Sequence, residues 1–381
     1  MSILKEFDDP QANLKENLLR GIYGYGFSEP TEIQRQSISK ILTGRDLIAQ
    51  AQSGMGKTGA FSISVLNKIK DDELDTCQAL IISPTRELTE QTYEVITALN
   101  SFLKYKIHMS TGGYPVSDEI RNLKSGVNIV VGTPGRVLQM LEKHYLKLNN
   151  LKLFVIDEAD EMLKIGFREQ LVKILRYIPV EAQVAIFSAT MSKEAIELSK
   201  EFLNDPDHIL VNKEKLTLEK IKQFFHFVSC EERKFDALID LYSKLCVSQA
   251  IIFCNSKRKV NILTEQLKTR GFPISSIHAD MDMKSRNEVS KKFRKGETRI
   301  LITTDIFARG IDIQAVSFVI NYDIPKSTES YLHRIGRSGR YGRDGVAVNL
   351  ITEDDVRDLK NIESFYSIEI KEMPEDINKY I

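Results

Sequence analysis

"LFVIDEADEML", residues 153–163, sets four apolar residues (Leu153 to Ile156) directly against Asp157, Glu158 and, one residue further on, Asp160. A continuous apolar run this short is the pattern of a strand buried on both faces. Burying an unpaired carboxylate is very costly, so these acids must reach water, a cation or a positively charged group. The strand therefore ends at a polar site, and the rest of the chain has to supply what that site holds.

Runs of the same kind precede it at 46–51, 79–84, 106–111 and 128–133, and follow it at 184–189 and 208–211. A second series stands at 223–228, 250–255, 274–279, 299–304, 318–323 and 347–352. Segments of helical period such as "TRELTEQTYEVITALNSFL" (85–103) and "SRNEVSKKFRKG" (285–296) lie between the runs. Strands alternating with helices imply a parallel sheet covered on both faces, and each half of the chain repeats the plan. The polar, lysine-rich stretch after residue 211 separates the two series. The expected organisation is an α/β domain over 1–211, a linker over 212–219 and a second α/β domain over 220–381, with ligands bound in a cleft.

Bulk composition narrows the function. At 381 residues, 42% of them hydrophobic, the chain can bury two cores. Lys plus Arg and Asp plus Glu both total 53, which excludes a general polyanion binder and makes any nucleic-acid site local. Cys77, Cys230, Cys246 and Cys254 form no CxxC pair and predict free thiols in a reducing compartment. No run approaches the 18 apolar residues of a membrane span, and the N-terminus is too acidic for a signal peptide, so the expectation is a soluble, intracellular protein without membrane contact.

"DLIAQAQSGMGKTGAF" (46–61) places Gly54, Gly56, Lys57 and Thr58 between an apolar strand and a helical segment. Glycines let the backbone wrap phosphates, the helix N-terminus favours the anion, Lys57 reaches the outer phosphates and Thr58 can ligate Mg²⁺. The opening stretch then has an answer. Asp157, at the end of a neighbouring parallel strand, can hold Mg²⁺, largely through water, and Glu158 can orient or deprotonate the attacking water. In the second half, "YLHRIGRSGRYGR" carries Arg334, Arg337, Arg340 and Arg343. On one helical face they could close over a γ-phosphate as arginine fingers, or else form a solvated or RNA-facing basic stretch.

"AQSGMGKT", "PTREL", "TPGR", "DEAD", "SAT", "ARGID" and "HRIGRSGR" stand in the order found in DEAD-box RNA helicases, and the chain resembles that family from about Phe7 onward. The wording between motifs is similar to translation initiation factor 4A. "IKQFF", "IIFCN" and "HRIGRSGRYGR" are similar to its nuclear relatives, the exon-junction helicase and the nucleolar helicase of small-subunit biogenesis. The resemblance implies two tandem RecA-like domains with the ATP site in the cleft between them, ATP and Mg²⁺ as cofactors, and RNA as substrate. It places Phe27, Glu29 and Gln34 at the adenine, Gly54, Met55, Gly56, Lys57, Thr58 and Gly59 around the phosphates, and Asp312 at the ribose. Arg337 and Arg340 are expected at the γ-phosphate, and Ser188, Thr190 and His333 are expected to link nucleotide state to RNA grip.

RNA contacts are expected from Pro84, Thr85, Arg86, Gly112, Gly113, Thr133, Pro134, Gly135 and Arg136 in the first domain, and from Arg286 and Thr304 in the second. Many are glycines or helix-start hydroxyls, which bind phosphate through backbone N–H groups without a basic excess. Recognition through phosphate and 2′-OH implies selection of RNA over DNA with little sequence preference. Met55 stands where a small or hydroxyl residue is usual, Met283 where a glutamine is, and Ala279 where a glycine is. No nucleotide role is carried onto Phe7. The subfamily likeness further implies a monomeric core, a helical-repeat scaffold as partner, and work in the nucleus or nucleolus (ribosomal RNA processing), with cytoplasmic translation initiation or an ATP-locked RNA clamp as alternatives. A small-substrate phosphate-loop enzyme would instead show ATP turnover indifferent to RNA.

Overall fold

Every apolar run becomes a strand. In the computed structural model these are β1 (Leu47–Gln50), β2 (Ala79–Ile82), β3 (Ile107–Ser110), β4 (Ile129–Gly132), β5 (Leu153–Ile156), β6 (Gln183–Ser188) and β7 (Asp207–Ile209). The second series gives β8 (Ile221–Phe227), β9 (Gln249–Phe253), β10 (Ile274–Ile277), β11 (Ile300–Thr303), β12 (Val316–Asn321) and β13 (Gly345–Ile351). The structure describes residues 4–51, 54–73, 75–163, 166–191, 196–197, 199–200, 202–209, 221–244, 249–308, 316–338 and 345–380, without the side chains of 244, 283 and 306. The expected linker at 212–219, Asp312, Arg340, Arg343, Cys246 and the Met283 side chain lie outside that set.

The chain divides into two compact units, Met1–Val211 and Asn212–Ile381. The first holds a seven-stranded sheet ordered β3-β4-β2-β5-β6-β1-β7. The second holds β10-β11-β9-β12-β13-β8-β14, where β14 is the two-residue strand Lys371–Glu372. Numbered within its own unit, the second order is the same as the first, and all pairings are parallel. β14 escaped the sequence reading because "KE" has neither apolar character nor alternation.

Period-two alternation divides each sheet between two cores. In β5, Leu153 and Val155 face one cluster with Phe61 and Phe187, while Phe154 and Ile156 face another with Leu138 and Leu171. In β9, Ile251 and Phe253 pack with Phe293, and Ala250 and Ile252 with Leu263. Helices start where side chains can cap them. Thr31 and Gln34 form a capping box on α2 (Glu32–Leu42), following α1 (Glu16–Gly24). Gly56 precedes α3 (Lys57–Lys68), Thr85 caps α4 (Arg86–Leu99), α5 spans Val116–Lys124, and α6 (Pro134–Glu142) begins on proline after Thr133. The short α7 (Ala159–Met162) and α8 (Phe167–Leu175) follow β5. The second unit contributes α9 (Lys234–Lys244), α10 (Lys257–Thr269), α11 (Met283–Arg294), α12 (Thr328–Ile335) and α13 (Val356–Tyr366). No helix among the described residues is long and apolar enough to cross a membrane.

Candidate functional site

Because the strands of the first sheet are parallel, their carboxyl ends share one edge, and each motif from the glycine loop onward follows a carboxyl end, while Phe27, Glu29 and Gln34 precede β1. The glycine loop follows β1, Pro84–Arg86 follows β2, Thr111–Gly113 follows β3, Thr133–Arg136 follows β4, Asp157–Asp160 follows β5, and Ser188–Thr190 closes β6. One sequence expectation changes. β5 does not neighbour β1, since β6 lies between them and pairs with both. The acids still meet the glycine loop through the long Lys57 side chain, whose Nζ lies 3.7 Å from Glu158 Oε1.

The glycine loop is tight. Gly54 and Gly56 have φ of 83° and 100°, the left-handed region that favours glycine. A Cβ on Gly56 would lie 2.8 Å from Gln34 Nε2, and one on Gly59 would lie 2.6 Å from the same atom and 3.1 Å from the Phe27 ring. Thr31 Oγ1 donates to the Met55 carbonyl (2.8 Å) and Gln34 Nε2 to the Gly56 carbonyl (3.2 Å), while Gln34 Oε1 accepts from the Thr31 N–H (2.9 Å). Gln34 thus clamps the loop to the start of α2. Phe27 stacks on the fully buried Phe7 with centroids 6.3 Å apart, and Glu29 is exposed. Met55 is half exposed; its carbonyl is the part that is held, and Thr58 is partly buried.

Lys57, Asp157 and Glu158 are all buried. Lys57 Nζ donates to the Ala51 carbonyl (3.0 Å), and the Glu158 N–H donates to Asp157 Oδ1 (3.0 Å). Burial first, and the adjacent Glu158 carboxylate second, push the Asp157 carboxyl up to about 8, with Lys57 pulling the other way. Glu158 occupies the left-handed region at φ 50°, ψ 54°, unusual for a side chain of its kind, and its Oε2 is buried with no hydrogen-bond partner in the described structure. A glycine cradle at the start of α3, a buried lysine, a carboxylate that favours a cation, and a second with an unused acceptor form a donor set that fits a polyphosphate, its divalent cation and an attacking water.

Asp160 has a different role. Thr190 Oγ1 donates to its Oδ2 (2.8 Å), its N–H donates to Ser188 Oγ (3.2 Å), and Ser188 Oγ donates to the Thr190 carbonyl (2.7 Å). The third carboxylate of the opening stretch thus locks two strand ends together, a pairing that no local pattern in the sequence announces.

On the remainder of this edge, Arg86 approaches Gly112 so closely that a Cβ there would lie 2.8 Å from its Nη2. Thr85 Oγ1 accepts from the Leu88 N–H, and Gly113 has φ 97°. Pro134 is buried, Gly135 exposed and Thr133 partly buried. Arg136, read as an RNA contact, is engaged within the protein. Its Nη1 donates to Glu119 Oε2 (2.6 Å), and both Nη atoms lie near the Tyr114 carbonyl. Glu119 also accepts from Ser110 Oγ (2.5 Å) and lies 3.5 Å from His108 Nε2. Burial pulls its carboxyl up, but the His108, Ser110 and Arg136 contacts together outweigh it and hold Glu119 below the usual carboxylate range.

In the second unit, Thr304 precedes a 3-10 turn (Asp305–Phe307) at the end of β11, and Arg286 is buried in the first turn of α11. His333 and Arg337 are buried, and Arg337 Nε donates to the His333 carbonyl (3.1 Å). The arginine stretch is not one helical face, because α12 ends at Ile335. Arg334 is entirely buried and hydrogen-bonded within the unit to Asn255, Asp305 and Asp323, which removes it from the set able to act as fingers. Asp323 and Asn255 carry the same signal as the opening stretch, a polar residue at the end of an apolar run, and were legible on that ground.

Residues 31–198 match the DEAD/DEAH box helicase model, and residues 233–342 match the helicase conserved C-terminal domain. The ATP-dependent RNA helicase eIF4A of Candida albicans is 52% identical over 376 residues, covering 99% of this chain and 94% of that protein. Saccharomyces cerevisiae Dbp5, bound to RNA and ADP BeF3, superimposes with a TM-score of 0.92 at 33% identity, covering 99% of this chain and 97% of that one. A Dbp5 variant bound to Nup159, a Gle1 variant, IP6 and ADP superimposes at 0.67 and 33% identity, with 96% of both chains covered. Both units are RecA-like domains in tandem, and a chain half identical to such an enzyme along nearly its whole length belongs to the DEAD-box family of ATP-dependent RNA helicases.

Proposed function

We propose that this helicase uses ATP hydrolysis to open RNA structure locally or to remodel RNA–protein complexes, in the manner of translation initiation factor 4A. The observation that carries the site assignment is the buried Lys57–Glu158 pair with its unpartnered Oε2 at the glycine loop. In this reading Gly54, Met55, Gly56, Lys57, Thr58 and Gly59 receive the phosphates, and Thr58 and Asp157 hold Mg²⁺, largely through water. The metal supplies charge neutralisation of the phosphates when bound. Glu158 accepts the proton of the attacking water, and Phe27, Glu29 and Gln34 form the adenine side. From the second domain, Asp312 reaches the ribose and Arg337 and Arg340 reach the γ-phosphate, completing the site when the domains close on RNA.

RNA lies along Pro84, Thr85, Arg86, Gly112, Gly113, Thr133, Pro134 and Gly135 in the first domain and Arg286 and Thr304 in the second. Arg136, oriented by its bond to Glu119, joins these RNA contacts. Ser188, Thr190 and His333 tie nucleotide state to RNA grip. Such contacts read little sequence, so a scaffold protein built of helical repeats chooses the RNA; that Dbp5 is seen bound to Nup159 and a Gle1 variant supports by analogy only that such a helicase takes protein partners. The name of the eIF4A relatives favours initiation, with which a cytoplasmic location would go. The phrases "IKQFF" and "IIFCN" favour ribosomal RNA processing in the nucleolus, and the steady-state location of the tagged protein separates the two. Steady-state ATP hydrolysis with and without single-stranded RNA tests the core reading: turnover must rise with RNA, and turnover indifferent to RNA would leave a small-substrate phosphate-loop enzyme.

A further inference from the structure

Arg334 is entirely buried, and each nitrogen of its guanidinium is engaged within the second unit. Nε donates to Asp305 Oδ1 (2.5 Å), Nη1 to the Asp323 carbonyl (2.8 Å) and Asn321 Oδ1 (3.4 Å), and Nη2 to Asn255 Oδ1 (2.8 Å). Its guanidinium lies 5.4 Å from the centroid of Phe253. Asp323 extends the lattice: Oδ2 accepts the Asn255 N–H (2.8 Å) and Oδ1 accepts Lys259 Nζ (2.5 Å). α12 is therefore joined to the carboxyl ends of β9, β11 and β12 by one planar cation, a geometry that Lys could not reproduce.

The sequence neighbours of this lattice make it more than a folding device. Asp305 directly follows Thr304, and Arg334 directly follows His333, whose carbonyl accepts from Arg337. Asp305 lies on the loop that carries Thr304, with its side chain 45% exposed, so a single buried arginine ties that loop to α12.

We propose that the Asp305–Arg334 pair is the positioning link inside the second domain through which RNA at Thr304 fixes the segment from His333 to Arg337. This rests on the roles proposed above for Thr304 and Arg337. Neither Asp305 nor Arg334 touches a reacting atom. The pair makes the RNA-side loop and the nucleotide-side segment a single rigid element, so that ordering one lowers the cost of ordering the other.

The test uses the full chain, a uridine oligomer and ADP with beryllium fluoride. RNA affinity is measured with and without nucleotide, and nucleotide affinity without RNA. In Asp305→Asn, which keeps shape and leaves Asn255 and Asp323 in place, the two single-ligand affinities stay within about twofold of wild type, while the mutual enhancement falls about tenfold, well within the usual range of coupling between sites. Asp305→Glu restores most of it; Asp305→Asn melts at a lower temperature, because a carboxylate beside the buried Arg334 is lost, but both variants are folded at the assay temperature by circular dichroism. An unchanged enhancement would overturn the proposal. So would loss of RNA affinity without nucleotide, since Asp305 would then belong to the RNA site itself. A wild-type protein without any mutual enhancement is a separate result: it removes the roles of Thr304 and Arg337, and the link falls with them before any variant is made.

Discussion

Glu158→Gln separates the proposed proton acceptor from everything else at the glycine loop. The substitution preserves shape, and Lys57 keeps its bond to the Ala51 carbonyl at 3.0 Å, so no buried cation is orphaned. Removing the carboxylate also takes away one of the causes that push Asp157 up to about 8, which offsets the lost attraction across 3.7 Å to Lys57. The fold and nucleotide binding should therefore survive, with a melting temperature within a few degrees of wild type, since stability changes well under 1 kcal/mol move it by less than about 4 °C in a domain of this size. Turnover should not survive. A positioned general base contributes about 10²–10⁴-fold, and a loss near 10³ is about 4 kcal/mol on the barrier. The assay is steady-state ATP hydrolysis over a range of single-stranded RNA concentrations, with RNA binding in the presence of ATP followed by fluorescence anisotropy. Hydrolysis should collapse while ATP-dependent RNA binding persists. A variant retaining more than about a tenth of wild-type turnover would refute the assignment of the base, and one losing ATP-dependent RNA binding would show that Glu158 shapes the closed state and not the chemistry.

Gly59→Ala would drive its Cβ to 2.6 Å from Gln34 Nε2, which is already engaged with Gly56. Breaking that clamp costs about 1 kcal/mol, so the KM for ATP should rise several-fold up to about tenfold with RNA affinity in the absence of nucleotide unchanged, as a titration of each ligand alone will read. Glu119→Gln removes one partner of the buried Arg136 pair and should destabilise by about 3 kcal/mol in urea at neutral pH. Because the folded-state pKa of Glu119 is held below its ordinary 4.5, its contribution is present above that value and is lost as pH falls through the lower folded value, so the gap between wild type and variant must close in acid; a gap that widens there would be contrary to the pairing. Asp160→Asn and Thr190→Val, combined in a double-mutant cycle on RNA-stimulated turnover, should couple by about 1 kcal/mol or more, and strict additivity would dissolve the lock between the two motifs.

The first domain was readable because its chemistry lies in short local patterns. An apolar run that stops at carboxylates, and another that opens into glycines and a lysine, each state a strand end and a site in a dozen residues, and parallel strands then bring the two to one edge. What could not be read was adjacency. Nothing local says that β6 stands between β1 and β5, so the contact of Lys57 with Glu158 depends on side-chain reach rather than on neighbouring strands, and Thr190, the partner of Asp160 30 residues away, lies just past the end of that intervening strand. The arginine stretch shows the same limit from the other side. Arg334 and Arg337 look equivalent at three-residue spacing, yet the helix end at Ile335 separates them in kind. Arg334 is turned into a lattice assembled from β9, β11 and β12, while Arg337 follows the helix end. Long-range polar contacts of this sort carry no periodicity, because each is set by where distant strand ends converge. The repeat of one strand order in both units supplies the missing frame: a polar residue at the end of any interior strand faces the edge where the other strands also end, and Asn255, Thr304, Asp305 and Asp323 in the second unit obey that rule as Asp157, Glu158 and Ser188 do in the first.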